Sequence, residues 1–132
     1  MVLRPLDARV VVLQRRPAAA ELGRFREALG REVLDLSRAN DDLRDALALL
    51  AGIDEYVGVS NTNMHLRAGI PGRSARVLVQ TPSEWRWGLS GIESPWFPGF
   101  RLYRGALGGD WTGALVALQA DLSKGNAAMQ QQ

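Results

Sequence analysis

Cysteine is absent from all 132 residues, which removes disulfides, thiolate nucleophiles and cysteine-held metals together. Histidine occurs once, as His65, which leaves too few nitrogen ligands for a zinc site built by this chain, so no metal is expected. No apolar run approaches the roughly 18 residues that span a bilayer. The segment VVVLQRRP, residues 10–17, is short, and its positive charge follows the apolar part instead of preceding it, so it does not read as a secretory signal. These absences lead us to expect a cytoplasmic protein without a membrane span. Dinucleotide-binding G-x-G-x-x-G and P-loop patterns are both missing. Net charge is only +2, and no basic run is longer than Arg15-Arg16, so no nucleic-acid partner is expected.

What is present is an ordinary globular composition, 46% hydrophobic and 23% charged, in a chain long enough for one domain with a core. RVVVL (9–13), EVLDL (32–36), EYVGV (55–59), ARVLVQ (75–80) and RLYR (101–104) are short β-rich runs. Most lack polar alternation, as strands covered on both faces do. Between them lie helical patterns. Leu22, Phe25, Ala28 and Leu29 share one spacing, closed by Gly30. Leu43, Ala46, Leu47 and Leu50 share another, with Asn40 or Asp41 as the expected cap. TNMHLRAGI predicts a short helix ending near Gly69. DWTGALVALQADL predicts a final helix capped by Asp110, with Trp111, Leu115, Leu118 and Leu122 apolar. SKGNAAMQQQ shows no pattern. We therefore expect one domain over residues 1–123 and a disordered tail over 124–132.

Strands alternating with amphipathic helices imply an α/β fold: three layers, with a doubly wound, mostly parallel sheet of about five strands. The simplest order is 2-1-3-4-5. It places the reversal point, where such sheets bind ligands, between the first and third strands. The turns there are Gln14-Arg15-Arg16 and Ser60-Asn61-Thr62-Asn63, the second inside VSNTNMHLRAG (59–69). Free N–H groups at the start of the following helix favour an anion, hydroxyl and amide side chains add donors, and His65 and Arg67 add positive charge. The same residue types are equally ordinary helix caps. A second candidate is the tryptophan-rich stretch 81–100. There Trp85 and Trp87, with Trp96 and Phe97 further on, either wall a base or sugar or pin a long loop to its own domain.

Three segments together, DEYVGVSNTNMHLRAGIPG, ARVLVQTPSEWRWGLSGIESPWFPGFRLYR and GDWTGALVAL, resemble the carboxyl-terminal half of bacterial glycosyltransferases. These are the enzymes often fused to tetratricopeptide repeats and related to lipopolysaccharide heptosyltransferases. VVVLQ resembles the second strand of that half, and the resemblance runs in order from about residue 8 to 122. It implies a Rossmann-like half of a GT-B fold, whose two halves enclose the active site and whose carboxyl-terminal half binds a nucleotide-sugar donor. It places His65 on the family's phosphate-associated histidine and Asn61 and Thr62 on the polar turn. Gly69 falls slightly after the family glycine, and Arg67 stands on a usual alanine.

The chain departs from the pattern at Ser60, where the family has aspartate. The family's first strand and its acceptor-binding half also have no counterpart in it. The expectation is a donor-binding domain that is inactive alone. Ser60, Asn61, Thr62, Asn63, His65 and Gln14 would hold a nucleotide diphosphate-sugar, with no further cofactor. A separate acceptor-binding half or self-association would supply the partner. The alternative is a non-catalytic remnant acting as a binding or self-association module.

Overall fold

A computed structural model describes residues 1–129 of the chain. The fold is mixed α/β with two small parallel sheets, and the chain divides into two compact units. One comprises Met1–Ala46 with the chain from Gln119 onwards; the other is Leu47–Leu118.

In the first unit, β1 (Val10–Val12) pairs in parallel with β2 (Val33–Asp35), Val10 opposite Val33 and Val12 opposite Asp35. The crossover contains α1 (Ala19–Leu29). Gly30 ends the helix with φ of 75°, and its N–H donates to the Arg26 carbonyl at 2.8 Å. Glycine adopts this left-handed conformation without the Cβ clash other residues meet. After β2 a tight 3-10 turn, Ser37–Asp41, consumes the residues expected to cap the next helix. The cap of α2 (Leu43–Gly52) is therefore Asp42, whose Oδ1 accepts from the N–H of Arg44 at 2.7 Å and of Asp45 at 3.3 Å. Asn40 instead donates its amide backwards to the Leu13 and Ser37 carbonyls, at 2.9 and 2.8 Å.

The second unit holds β3 (Val57–Gly58), β4 (Arg76–Val79) and β5 (Arg101–Arg104), all parallel and adjacent in chain order. Helix α3 (Thr62–Ala68) joins β3 to β4. Between β4 and β5 the chain makes a 3-10 turn at Trp85–Trp87. It then returns antiparallel along the outer edge of β5: the Leu102 N–H donates to the Ile92 carbonyl at 2.8 Å, and the Ser94 N–H to the Phe100 carbonyl at 3.0 Å. An otherwise unpaired sheet edge is thereby partly covered. The five expected strands are present, in ladders of two and three.

Leu50, Met64 and Val77 are fully buried, and Trp87 and Phe100 nearly so. Arg67 is buried as completely, at 1% exposure. Its Nε donates to the Ser74 carbonyl at 2.9 Å and its Nη2 to the Asp54 carbonyl at 3.0 Å, while Nη1 donates to the carbonyls of Leu50 and, at 2.8 Å, Ile53. The last carbonyls of a helix have no partner within it, and a cation there also complements the helix dipole. Arg67 thus closes the end of α2, a correction to the expectation that it charges the polar turn. Burial, and next the charge of Arg73, lowers its pKa from the ordinary value, but guanidinium stays protonated in proteins.

The last helix, α4 (Thr112–Met129), starts beside Asp110, whose Oδ1 accepts from the Thr112 N–H at 2.9 Å. Ala114, Leu118 and Leu122 are buried along it, whereas Leu115 lies at the surface. The helix extends through Met129, into the stretch read from sequence as a patternless tail. The rest of that expected tail, residues 130–132, lies outside the described residues. Among the described residues no helix is long and apolar enough to cross a membrane.

Candidate functional site

Parallel pairing brings the carboxyl ends of β3 and β4 side by side, and the turn beginning at Val59 faces the segment that follows Val79. Ser60 and Glu84 meet there, 3.5 Å from Oγ to Oε2. The same Glu84 oxygen accepts from Arg86 Nη1 at 2.6 Å, a short charge-assisted bond. The Arg86 guanidinium lies over the Trp85 ring, 5.3 Å from its centroid. The side chains of this ion pair are 38% and 47% exposed, so water and salt screen it and it adds little to stability. Its effect is to set a hydroxyl, a carboxylate and a guanidinium in one row.

Asn61 begins α3 as its N-cap: Oδ1 accepts from the Met64 N–H at 3.0 Å and from the Tyr56 hydroxyl at 3.2 Å. Burial raises the Tyr56 pKa, so the phenol remains a donor. Tyr56 and Gly58 project from the same face of the strand, and a Cβ at Gly58 would come within 2.9 Å of the Tyr56 ring. The oxygen of Asn61 is therefore committed to the helix start. Thr62 is exposed in the first turn and Asn63 is half-buried. His65 is also half-buried. Its ring stacks on Trp87 at 6.4 Å and meets Phe97 edge-on at 5.6 Å.

Of the expected aromatic wall, Trp85 stands 69% exposed while Trp87 is 1% exposed. Successive residues of a 3-10 helix are about 120° apart, so residues two positions apart cannot share a face. Trp87 packs on Phe97 at 5.6 Å, and Phe97 on Phe100 at 5.7 Å. The partner of Trp85 is instead Trp96, 61% exposed and set perpendicular at 5.5 Å and 86°. Two residues that sequence reasoning passed over hold this loop. Arg104 donates to the carbonyls of Gly91, Gly88 and Ser90 at 2.9, 3.1 and 3.0 Å, and to that of Trp87. Ser94 Oγ accepts from the N–H groups of Trp96 and Phe97 at 3.2 and 3.1 Å. Neither has a local sequence signal, because each acts on backbone groups without periodicity.

Gln14 belongs to the other unit, in a groove of about 380 Å3 that Val12, Pro17, Leu22 and Phe25 help to line. Its Nε2 donates to Glu21 Oε2 at 3.0 Å, and the Ala18 N–H reaches the same oxygen at 3.4 Å. Glu21 thus caps the start of α1 from one side only, because the N-cap residue Ala18 has no side-chain acceptor to return the bond. It fills the start of α1 with the chain's own carboxylate, where an external anion would otherwise sit. Among the described residues no group of three or more His, Asp or Glu side chains could hold a metal ion. No family model, curated protein or solved structure matches the chain.

Proposed function

We propose that this chain is a donor-side binding module of the glycosyltransferase type its sequence resembles, taking a nucleoside diphosphate or its sugar conjugate beside Ser60, Glu84 and Arg86. The fold that goes with this reading is a Rossmann-like half in which the five strands form one sheet of order 2-1-3-4-5. The neighbour relations within each ladder are compatible with it. The observation that carries the reading is the Ser60–Glu84–Arg86 row across the carboxyl ends of two adjacent parallel strands; open α/β sheets bind ligands on that carboxyl-end side, and the row lies next to, not at, the reversal point expected between the first and third strands. The Ser60 and Thr62 hydroxyls and the Arg86 guanidinium can donate to phosphate oxygens. Glu84 can accept from ribose or sugar hydroxyls, offering a carboxylate next to the serine that stands where the resembled turn has aspartate. Asn61 and His65 then act from behind, one capping α3 and the other bracing the loop. We assign the chain binding and not turnover by itself.

Ligand that binds only the folded state raises the unfolding temperature. Uridine, guanosine and adenosine diphosphates at millimolar concentration should each be tried in thermal unfolding of the whole chain. At least one should raise Tm in the natural sequence and fail to do so in Arg86→Ala. If none raises Tm, the donor-site reading is wrong.

A second reading, a binding or self-association module without chemistry, draws on two exposed apolar side chains in the 84–97 loop, Leu89 at 95% and Ile92 at 61%. Sedimentation that depends on protein concentration would favour it.

A further inference from the structure

The aromatic side chains between β4 and β5 fall into two sets with different work. Trp87, Phe97 and Phe100 form one packed chain of rings that ties the loop to the core. Trp85 and Trp96 take no part in it: they touch each other and remain 69% and 61% exposed. Leaving indole surface in water forgoes about 25 cal/mol for every Å2 that burial would remove. Pinning the loop does not explain that cost, since the first set does the pinning.

We propose that Trp85 and Trp96 form a binding corner for a neutral pyranose ring, with Glu84 and Arg86 as its hydrogen-bonding partners. The rings stand at 86° to each other, so a ligand can lie flat on one indole and abut the other. Aromatic faces carry partial negative charge. The axial C–H face of a pyranose is its positive complement. Arg86 lies over the Trp85 ring and is joined to Glu84 at 2.6 Å. Guanidinium N–H donors and carboxylate acceptors therefore stand beside the corner for the hydroxyls at the sugar's rim.

Charge selects among ligands. Glu84 and Arg86 neutralise each other, so the corner lacks the surplus of cations that tracks a phosphodiester chain. A neutral saccharide fits it better than a nucleic-acid strand. The corner is also preorganised. Arg104 holds the carbonyls of Trp87, Gly88, Ser90 and Gly91, and Ser94 holds the backbone N–H of Trp96, which lowers the backbone part of the ordering cost of binding. The proposal goes beyond the phosphate-binding reading and does not require it; the two share only the Glu84–Arg86 pair.

The test uses the whole 15N-labelled chain and the indole N–H signals of its four tryptophans. Methyl β-glucopyranoside, methyl β-galactopyranoside and N-acetylglucosamine are titrated separately through the millimolar range, with uridine and adenosine as controls. At least one saccharide should shift the Trp85 and Trp96 signals saturably and leave Trp87 and Trp111 in place. Trp85→Ala should abolish the shift at Trp96 while the remaining spectrum stays that of the folded protein. Silence from all three saccharides overturns the proposal. A response to the nucleosides alone overturns it in favour of a base platform. Signals that move with protein concentration and not with saccharide overturn it in favour of a second copy on the same surface. Because these probes carry no phosphate, the result is independent of whether diphosphates bind at Ser60.

Discussion

The imidazole of His65 lies against the indole of Trp87, ring centroids 6.4 Å apart and planes 26° from parallel. The chain's one histidine thus joins α3 to the loop between β4 and β5, with Phe97 closing on its edge. His65→Ala should cost about 1–2 kcal/mol in urea unfolding, from a lost aromatic contact and a small void. His65→Phe should restore most of that. Restored stability combined with lost diphosphate binding in His65→Phe would give the imidazole a ligand role in addition to its packing role.

Arg67 carries a larger share of stability. Replacing it with methionine fills similar volume but strips donors from four carbonyls, those of Leu50, Ile53, Asp54 and Ser74. Each buried acceptor left unpaired costs about 1–3 kcal/mol, less where water can enter. Arg67→Met should therefore lower unfolding free energy by at least about 3 kcal/mol in denaturant titration. A loss under about 1 kcal/mol would mean that the four bonds contribute little net.

Arg104 should behave differently. Its partners are the carbonyls of one surface loop, so Arg104→Ala should leave global unfolding changed by about 1–2 kcal/mol at most. Hydrogen exchange at residues 88–94 should nevertheless accelerate markedly, because local opening of that loop becomes easy. Unchanged exchange there would show that the ring cluster alone holds the loop.

The start of α4 provides a pH dependence. The Thr112 N–H bond, followed by the Thr112 side chain, holds the Asp110 carboxyl below its ordinary pKa. A carboxylate depressed in the folded state stabilises above its unfolded pKa, about 4, and loses that contribution as pH falls through the folded value. Amide exchange in the first turn of α4 should therefore quicken as pH drops below about 4, once corrected for intrinsic exchange. Asp110→Asn should flatten the response.

Much of the architecture is legible from short-range pattern. VVV, RVLV and RLYR announce their strands by short runs of β-branched or aromatic residues, although VVV is only half-buried and the ends of RLYR reach the surface or near it. Gly30 announces the end of α1 because only a left-handed residue closes it this way. The site is less legible. Arg67 and Arg104 look like surface charges, and their partners are backbone carbonyls distant in sequence, which no periodicity encodes. Asn40 has the chemistry of a cap, but a 3-10 turn shifts that position to Asp42. Trp85 and Trp87 read as a pair in one line of text and are separated by the pitch of the turn they occupy. Helix α4 passes Leu122 without an apolar stripe, since an established helix propagates far more readily than it nucleates.

Amide-resolved NMR titration of the whole chain with uridine, guanosine and adenosine diphosphates tests the donor-site reading most directly. Saturable shifts should gather at Ser60, Thr62, Glu84 and Arg86, a contiguous set drawn from two strand ends, and should vanish in Arg86→Ala. Shifts confined to scattered surface arginines such as Arg15 and Arg16, or no saturable shift with any of the three, would contradict it.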